Sequence, residues 1–368
     1  MARILITGSN GFIAKNLISR LKNENHMLYF HNRNESIENL KEALLNSEII
    51  FHFAGVNKPK NTTDFKKINI DLTKYILDFI TKNELKIKFI FSSSTQAELN
   101  NNYGLSKLEA ENHIIDFSKK TNNQVVIFRL NGIFGKWSKP DYNSVVSTFC
   151  YRIINSLPIH IDSPLKKLSL TYIDDLVNDF IKVLHSNSNK KIFYTNPSSI
   201  YKITVEKIAQ IIKGFDLDRK NFKSENVGSG IKRKLYATYL TYLPKKSFAY
   251  NLVENNDNRG KFVEILKMKN NGQLSFITIK PKQSRGNHYH HTKSEKFIVL
   301  KGEVKFIFLN ILTKESEVFY LSGINSQVIE SIPGWNHELI NQSNDEAIVV
   351  VWANEIYKPL KHDTYQII

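Results

Sequence analysis

The chain of 368 residues is longer than a typical single domain, which predicts two compact cores. Hydrophobic residues make up 41% and aromatic residues 11%, which excludes disorder as the main state. The net charge is +16, but the lysines are spread along the chain without a block of about five like charges. We therefore expect a basic solvated surface and no nucleic-acid partner, although a small phosphate-bearing substrate would suit the charge equally well.

The chain has a single cysteine, Cys150, so it can form neither an internal disulfide nor a thiolate metal cluster. This is compatible with a reducing compartment and predicts a cytoplasmic protein. Met1 leads directly into the strand-like segment 2–7, without the basic region, apolar core and cleavage site of a leader. No stretch approaches the about 18 apolar residues of a membrane span, so neither export nor a membrane is expected.

The N-terminal segment reads as strand, glycine turn and helix. An apolar run at 3–7 is followed by the turn Gly8-Ser-Asn-Gly11, and residues 12–22 carry apolar side chains at helical spacing. Such a turn brings backbone N–H groups close to a pyrophosphate at a helix N-terminus, although two glycines at this spacing also occur in ordinary turns. Further strand-like runs at 27–30, 49–53, 88–92 and 125–130 alternate with helical stretches, which predicts a doubly wound parallel sheet of the Rossmann type.

The residues after the second strand bear on the cofactor. An enzyme specific for NAD usually places an acidic side chain here to hold the ribose hydroxyls, whereas this chain has His31-Asn32-Arg33. A guanidinium at Arg33 suits a 2′-phosphate, which favours NADPH. The alternative is an ordinary surface arginine.

A serine-rich strand end, Ser92-Ser93-Ser94, precedes a helix that begins with Tyr103-Gly-Leu-Ser-Lys107. Tyr103 and Lys107 are four residues apart and therefore share one helical face. An ammonium group beside a phenol stabilises the phenolate and lowers its pKa, and a serine hydroxyl can bind the same substrate oxygen. Together they could move a proton to or from a carbinol while hydride moves to or from a nicotinamide, although such a pair alone is often surface decoration.

These motifs, with Phe53-Ala54-Gly55, resemble extended short-chain dehydrogenase/reductases that act on nucleotide sugars, over about residues 1–245. The resemblance implies Ser94, Tyr103 and Lys107 as catalytic residues. Ala14 stands where the pattern usually has a third glycine, and the gap between Ser94 and Tyr103 is short. The same resemblance implies a cofactor site formed by Gly8, Asn10, Gly11, Phe12, Ile13, Arg33, Ala54 and Lys107. Lys136 and Trp137 could contact the nucleotide or sugar, although a plain loop is an equal alternative.

From about Asn251 the helical periodicity gives way to short alternating runs with glycine turns, which predicts a small β-sandwich or jelly roll. We place the boundary near Leu243-Pro244-Lys245, giving domains 1–245 and 246–368. The predicted strands are 260–266, 273–279, 296–300, 303–309, 317–321 and 347–352.

Three histidines fall within four residues, in Gly286-Asn-His288-Tyr-His290-His291. Residues two apart on a strand point to the same side, so His288 and His290 can face one ion. Glu295 and His337 would complete the ligand set, and three nitrogens with one oxygen suit zinc, although iron or manganese stays possible. His291 would lie off the metal, free for acid–base work.

The spacing from His288 through Glu295 to Gly302, followed by Pro333-Gly334 and His337, resembles the two cupin motifs, the second shortened by one residue. A reductase fused to a cupin resembles the CapF family of bacterial capsule-synthesis enzymes. The resemblance implies a homodimer on the route to UDP-N-acetyl-L-fucosamine for capsule or O-antigen. In it the cupin epimerises C3 of a UDP-4-keto-6-deoxy-N-acetylhexosamine, and the reductase reduces the C4 ketone with NADPH, giving UDP-2-acetamido-2,6-dideoxy-L-talose.

Two alternatives remain open from the residues. In the first, the chain is a simple NADP-dependent ketosugar reductase and the cupin serves only sugar binding or dimerisation. In the second, it is a cofactor-sensing scaffold without turnover, which would have no need of Ser94, Tyr103 and Lys107 together.

Overall fold

The computed structural model describes residues 1–59, 61–186, 190–224, 226–358 and 363–367. The chain divides into an N-terminal unit, Met1–Lys213 with Gly228–Leu243, and a C-terminal unit, Gly214–Val227 with Pro244–Ile368. The segment Gly214–Val227 groups with the C-terminal unit because a short strand within it pairs with a strand beyond residue 259. None of the described helices is both long and apolar enough to cross a membrane.

The first half of the chain alternates strands and helices, as its apolar periodicity predicts. The strands are β1 (Arg3–Thr7), β2 (Met27–His31), β3 (Ile49–His52), β4 (Lys88–Ser94), β5 (Val125–Leu130), β6 (Gly132–Phe134), β7 (Lys167–Tyr172), β8 (Ile192–Thr195) and β9 (Tyr201–Thr204). The helices are α1 (Phe12–Leu21), α2 (Ile37–Leu45), α3 (Leu72–Lys82), α4 (Asn102–Thr121), α5 (Val145–Ile154), α6 (Ile173–His185), α7 (Val205–Lys220) and α8 (Gly230–Leu240). A π-helical turn, Phe65–Asp71, leads into α3.

Six strands form one parallel sheet in the order β2-β1-β3-β4-β5-β8, which confirms the predicted Rossmann-type fold. Apolar side chains of α2, α3 and α4 pack on one face of the sheet in a buried cluster. On the other face, Phe180 of α6 contacts the rings of Phe51 and Phe128, and α1 packs beside α6. The chain reverses direction across the sheet between β1 and β3, which is where such folds bind ligands at the carboxyl ends of their strands.

Two details of this unit bear on the site. Ala14 is completely buried in α1, where a small side chain allows the helix to lie close to the sheet. A smaller sheet in the order β6-β7-β9 stands apart from the six-stranded one and contributes Leu168 and Leu170 to the cavity described below.

The C-terminal unit is built of strands, as predicted. They are β10 (Lys223–Ser224), β11 (Glu254–Asp257), β12 (Gly260–Met268), β13 (Gly272–Ile279), β14 (Ser284–His288), β15 (Glu295–Lys301), β16 (Glu303–Asn310), β17 (Ser316–Ser322), β18 (Val328–Glu330), β19 (Trp335–Asn341) and β20 (Ala347–Ala353). One sheet has the path β10-β12-β13-β20-β15-β18, with β11 beside β12, and the other has the order β14-β19-β16-β17. Buried side chains of both sheets, such as Val349 and Phe306, form one core cluster, so the sheets pack as a sandwich.

Candidate active site and candidate metal centre

The glycine turn after β1 lies against the segment that follows β3. Gly8 has a φ of +64°, and a Cβ there would lie 2.8 Å from the Cα of Ala54. An L-residue is therefore excluded at Gly8 by both conformation and space. The Gly11 N–H donates to the Gly8 carbonyl at 2.8 Å, which closes the turn directly before the N-terminus of α1. The turn thus presents a helix N-terminus, where an anion is favourably bound.

A cavity of about 770 Å³ opens at the carboxyl edge of the sheet, within the size range of small-molecule sites. It is lined by eight of the predicted site residues, namely Gly8, Asn10, Gly11, Phe12, Ile13, Ser94, Tyr103 and Lys107. Ala54 lies beneath Gly8, while its neighbours Phe53 and Gly55 line the cavity. Arg33 is exposed and does not belong to the cavity lining.

The three predicted catalytic residues meet in this cavity because β4 ends at Ser94 and α4 begins just before Tyr103. The hydroxyl of Ser94 accepts a hydrogen bond from the Gln96 N–H at 3.1 Å, so its own proton remains available to donate. Burial raises the pKa of the Tyr103 phenol, contrary to the lowering expected from Lys107, and a hydrogen bond from Ser94 offsets the rise only in part. Tyr103 is therefore a neutral phenol that can donate a proton.

Lys107 is only 4% exposed and donates from Nζ to the Ser92 carbonyl at 2.8 Å. Burial lowers the pKa of Lys107 to about 8, and the carboxylate of Glu111 opposes this shift. Glycine at position 55 leaves room beside this ammonium. A Cβ at Gly55 would lie 3.3 Å from Nζ.

A buried carboxylate that the sequence analysis missed, on Glu111, links the catalytic helix to two strands of the sheet. Glu111, completely buried on α4, accepts from Arg129 Nε at 3.1 Å and from Nη2 at 2.7 Å, and also from the hydroxyl of Ser93. Arg129 lies on β5 and Ser93 on β4, so Glu111 fixes α4 against both strands. The bidentate geometry and the extra hydroxyl compensate the burial of the charge.

Asn69 is a second missed residue. It is 1% exposed, and its amide nitrogen donates to the Val56 carbonyl at 3.0 Å and to the Ser106 hydroxyl at 2.9 Å. Its amide oxygen accepts from the Val56 N–H at 2.8 Å. The side chain thereby binds the segment after β3 to the catalytic helix. The sequence offered no signal for this role beyond a polar residue within an apolar helical pattern.

An acidic residue near Arg33, Glu35, was also missed. Its carboxylate accepts from the Asn32 N–H at 2.7 Å and from the Asn32 amide at 3.2 Å. The Asn32 amide oxygen accepts in turn from the Asn10 N–H at 2.9 Å. Glu35 is thus folded onto the chain beside the glycine turn, and Arg33 extends into solvent.

The loop after β6 places Trp137 in the lining of the cavity, 51% exposed and with a φ of +68°. Lys136 is ion-paired with Asp174, and its Nζ lies 5.5 Å from the Trp137 ring centre. The left-handed region is unfavourable for a bulky residue, so the backbone at Trp137 is strained.

In the C-terminal unit, one potential ligand atom from each of His288, His290, Glu295 and His337 lies within 4.8 Å of the other three. Glu295 Oε2 is 3.2 Å from His290 Nε2 and 3.3 Å from His337 Nε2. The strand β14 ends at His288, so His290 does not lie on the strand as the pattern predicts. A bulge at Asn287, with a φ of +59°, shifts the register of His288 against β19. His290 faces the same cluster from the turn beyond the strand.

The electrostatics of the cluster favour the metal-binding forms of His288 and Glu295. Burial, reinforced by His337, lowers the pKa of His288 to about 4, so its imidazole is neutral. Burial opposes the ionisation of Glu295, but hydrogen bonds from His290 and His337 and the charge of Lys293 hold the pKa of this carboxyl well below its ordinary value. Lys293 Nζ binds Glu295 Oε1 at 2.6 Å and so leaves Oε2 to the histidines.

His291 lies outside the cluster. It is exposed, and its ring lies 5.4 Å from that of Tyr289 and 4.9 Å from that of Tyr365. Lys293, which the sequence analysis did not single out, is ion-paired with the candidate ligand Glu295. Its position two residues before Glu295 was the available signal.

A second group of this kind in the described part of the chain joins Glu24, His26 and His185 on the N-terminal unit. The Ala2 N–H donates to His26 Nδ1 at 3.3 Å, which places the ring proton on Nε2, 3.0 Å from Glu24 Oε2. That nitrogen therefore donates to the carboxylate and offers no lone pair to a metal.

Comparison with known proteins gives a match for each unit. Residues 4–195 match the NAD dependent epimerase/dehydratase family, and residues 255–365 match the polysaccharide biosynthesis C-terminal domain. A UDP-2-acetamido-2,6-beta-L-arabino-hexul-4-ose reductase from Pseudomonas aeruginosa is 41% identical over 365 residues, which cover 99% of this chain and 98% of that protein.

Solved structures extend the likeness to the whole fold. The capsular polysaccharide assembling protein CapF from Staphylococcus aureus superposes with a TM-score of 0.93 at 34% identity over 99% of each chain. A UDP-glucuronic acid 4-epimerase from Bacillus cereus, 18% identical with a TM-score of 0.56, covers 65% of this chain and 96% of its own, and shares the fold alone. The chain therefore belongs to the CapF family, in which an NAD(P)-dependent epimerase/dehydratase domain precedes a polysaccharide biosynthesis C-terminal domain.

Proposed function

We propose that this chain is a bifunctional UDP-sugar enzyme. In this proposal the C-terminal unit is a metal-binding cupin that epimerises C3 of a UDP-4-keto-6-deoxy-N-acetylhexosamine. The N-terminal unit then reduces the C4 ketone with NADPH to UDP-2-acetamido-2,6-dideoxy-L-talose, a step towards UDP-N-acetyl-L-fucosamine. The reductase assignment rests on one observation, which is that Ser94, Tyr103 and Lys107 line the same cavity as the glycine turn. The name of the Pseudomonas aeruginosa relative supports the 4-keto substrate.

The residues of the cavity account for the proton in the reduction. NADPH supplies the hydride when it is bound at the glycine turn. Tyr103, neutral and buried, donates its phenolic proton to the C4 oxygen as that oxygen gains charge. Lys107 stabilises the resulting phenolate, and Ser94 donates a hydrogen bond to the same oxygen. The products are a C4 carbinol and a phenolate that must regain a proton before the next turnover.

The residues of the second cluster fit a divalent metal, because three imidazoles and an ionised carboxylate face one another, with His288 half-buried and the other three buried. His288, His290, Glu295 and His337 would hold zinc, since three nitrogens with one oxygen form a common zinc set. When bound, the ion would supply Lewis acidity, which makes a C–H next to a carbonyl more acidic. A protein base then removes the C3 proton, and reprotonation from the other face inverts C3. We assign the base role to His291, whose exposed ring is open to substrate.

The test separates the two steps on one sample. The enzyme is mixed with the UDP-4-keto-6-deoxy-N-acetylhexosamine in deuterated water. NMR follows the C3 position, and absorbance follows NADPH. We expect deuterium to enter C3 without NADPH, and NADPH to be consumed once it is added. NADPH consumption without C3 exchange would instead identify a simple ketosugar reductase with a non-catalytic cupin for binding or dimerisation.

The preference for NADPH is a separate prediction, which concerns Arg33. Because a charge-assisted hydrogen bond contributes about 1.5–3 kcal/mol, Arg33→Ala should raise the KM for NADPH roughly 10- to 100-fold. The KM for NADH should not change, because NADH has no 2′-phosphate. Steady-state kinetics with both cofactors measure the effect. Arg20→Ala, which removes an exposed arginine at the far end of α1, is the matched control. An equal loss with both cofactors would contradict the assignment.

We also propose that the enzyme acts as a homodimer, as the family resemblance implies. Sedimentation of the purified chain tests this directly, since a monomer at working concentration would exclude it.

A further inference from the structure

The C-terminal segment 363–365 lies against the turn that carries His290. The Tyr289 N–H donates to the Tyr365 carbonyl at 2.9 Å, and the Tyr365 N–H donates to the Tyr289 carbonyl at 3.0 Å. The Tyr365 ring packs 5.6 Å from that of Tyr289 and 4.9 Å from that of His291. We call residues 363–365 the C-terminal clamp. It is remote in sequence from every residue of the ligand cluster.

The carboxylate of Asp363 organises the turn that joins His290 to Glu295. It accepts from the N–H groups of His291 at 2.9 Å, Thr292 at 2.6 Å and Lys293 at 2.8 Å, and from the Thr292 hydroxyl at 2.9 Å. Desolvation opposes the ionisation of Asp363, but these backbone hydrogen bonds outweigh it and hold the pKa of the carboxyl well below its ordinary value. One side chain thus satisfies three successive amides of the ligand-bearing turn.

The main-chain carbonyl of Asp363 acts on a ligand directly. It accepts from His290 Nδ1, which places the ring proton on Nδ1. With Nδ1 bound to this carbonyl, Nε2 is the ring nitrogen that would bind the ion, and it lies 3.2 Å from Glu295 Oε2. A hydrogen bond to the second nitrogen of a metal-binding histidine fixes both its tautomer and the orientation of its ring.

We propose that the C-terminal clamp is a positioning element for the metal centre. The Asp363 carbonyl selects the tautomer of His290, and the Asp363 carboxylate fixes the turn from which His290, Lys293 and Glu295 converge. The clamp touches no reacting atom, so its effect passes through the affinity for the ion. This inference rests on the metal centre of the proposed function. It adds a determinant of metal affinity that lies outside the two motifs that carry the ligands.

The experiment measures zinc affinity directly, by competition with a chromophoric chelator on the full-length protein. We expect Asp363→Ala to raise the zinc dissociation constant about 10- to 100-fold, the range found for residues that orient metal ligands. Asp363→Asn keeps one side-chain oxygen and should lie between Asp363→Ala and the unmodified chain. Glu317→Gln, which removes an exposed carboxylate on β17, is the control and should leave the constant within about twofold.

Two further readouts separate positioning from folding. The metal-free forms are compared by thermal unfolding, because a merely structural role would lower the Tm without changing zinc affinity. Imidazole ¹⁵N shifts report whether His290 keeps its proton on Nδ1. If Asp363→Ala proves unstable, Tyr365→Leu loosens the clamp and leaves the carboxylate in place.

The outcomes distinguish the two proposals. If the unmodified chain binds zinc and Asp363→Ala binds it equally well, the clamp has no positioning role and the metal centre stands. If the unmodified chain binds no zinc, or keeps it after His337→Ala, both the metal centre and the clamp are overturned.

Discussion

Replacing Tyr103 by Phe is expected to lower kcat for the reduction of the C4 ketone about 10²- to 10⁴-fold, the usual contribution of a positioned general acid. The change removes one oxygen and keeps the ring that packs 6.1 Å from Phe65, so cofactor affinity and Tm should stay close to those of the unmodified chain. Assays of NADPH consumption measure kcat, and cofactor affinity is measured separately by binding.

The specificity of this result depends on two comparisons. Tyr75→Phe removes a phenolic oxygen from α3, where the ring packs against the buried cluster, and should leave the reduction unchanged. Exchange of the C3 proton should continue in Tyr103→Phe, because the proposed metal centre does not use this phenol. A loss of less than about tenfold would mean that another group delivers the proton to the C4 oxygen.

Residues close in sequence were the ones that sequence reasoning could assemble. Tyr103 and Lys107 share a helical face by their spacing alone, and the strand ending at Ser94 was visible as an apolar run closed by serines. The alternation of such runs also predicted the parallel sheet, because strand and helix periods differ. The element bounds in the structure differ from the predicted ones by only a few residues, mostly at frayed or capped ends.

The residues that support the site were beyond this reasoning because they act across long sequence separations. In the sequence, Glu111 is one more charged residue on a helix. Only the fold shows that Arg129 and Ser93 both bind its carboxylate. Asp363 contacts the turn between His290 and Glu295, although it lies 72 residues from His291 in the sequence. No local pattern marks that pairing. The bulge at Asn287 likewise depends on pairing between β14 and β19, which a single strand does not reveal.

Removing one ligand of the candidate metal centre is the second change for which we expect a large effect. His337→Ala takes away an imidazole that is only 1% exposed and whose Nε2 lies 3.3 Å from Glu295 Oε2. Zinc affinity should fall by more than the about 10- to 100-fold typical of supporting residues. Deuterium exchange at C3 should fall at least about 10²-fold, comparable to the loss of one donor to a developing oxyanion. Metal content by mass spectrometry and exchange by NMR measure the two effects.

Three comparisons determine what that loss would mean. His160→Ala, an exposed histidine on the N-terminal unit, should change neither zinc content nor exchange. His291→Ala should keep zinc, since His291 lies outside the ligand cluster, and should lose exchange if this ring is the base. A substrate already inverted at C3 should restore NADPH consumption to His337→Ala, because Ser94, Tyr103 and Lys107 remain intact. If His337→Ala lost zinc and kept full C3 exchange, the ion would have only a structural role and the epimerase chemistry would belong to other residues.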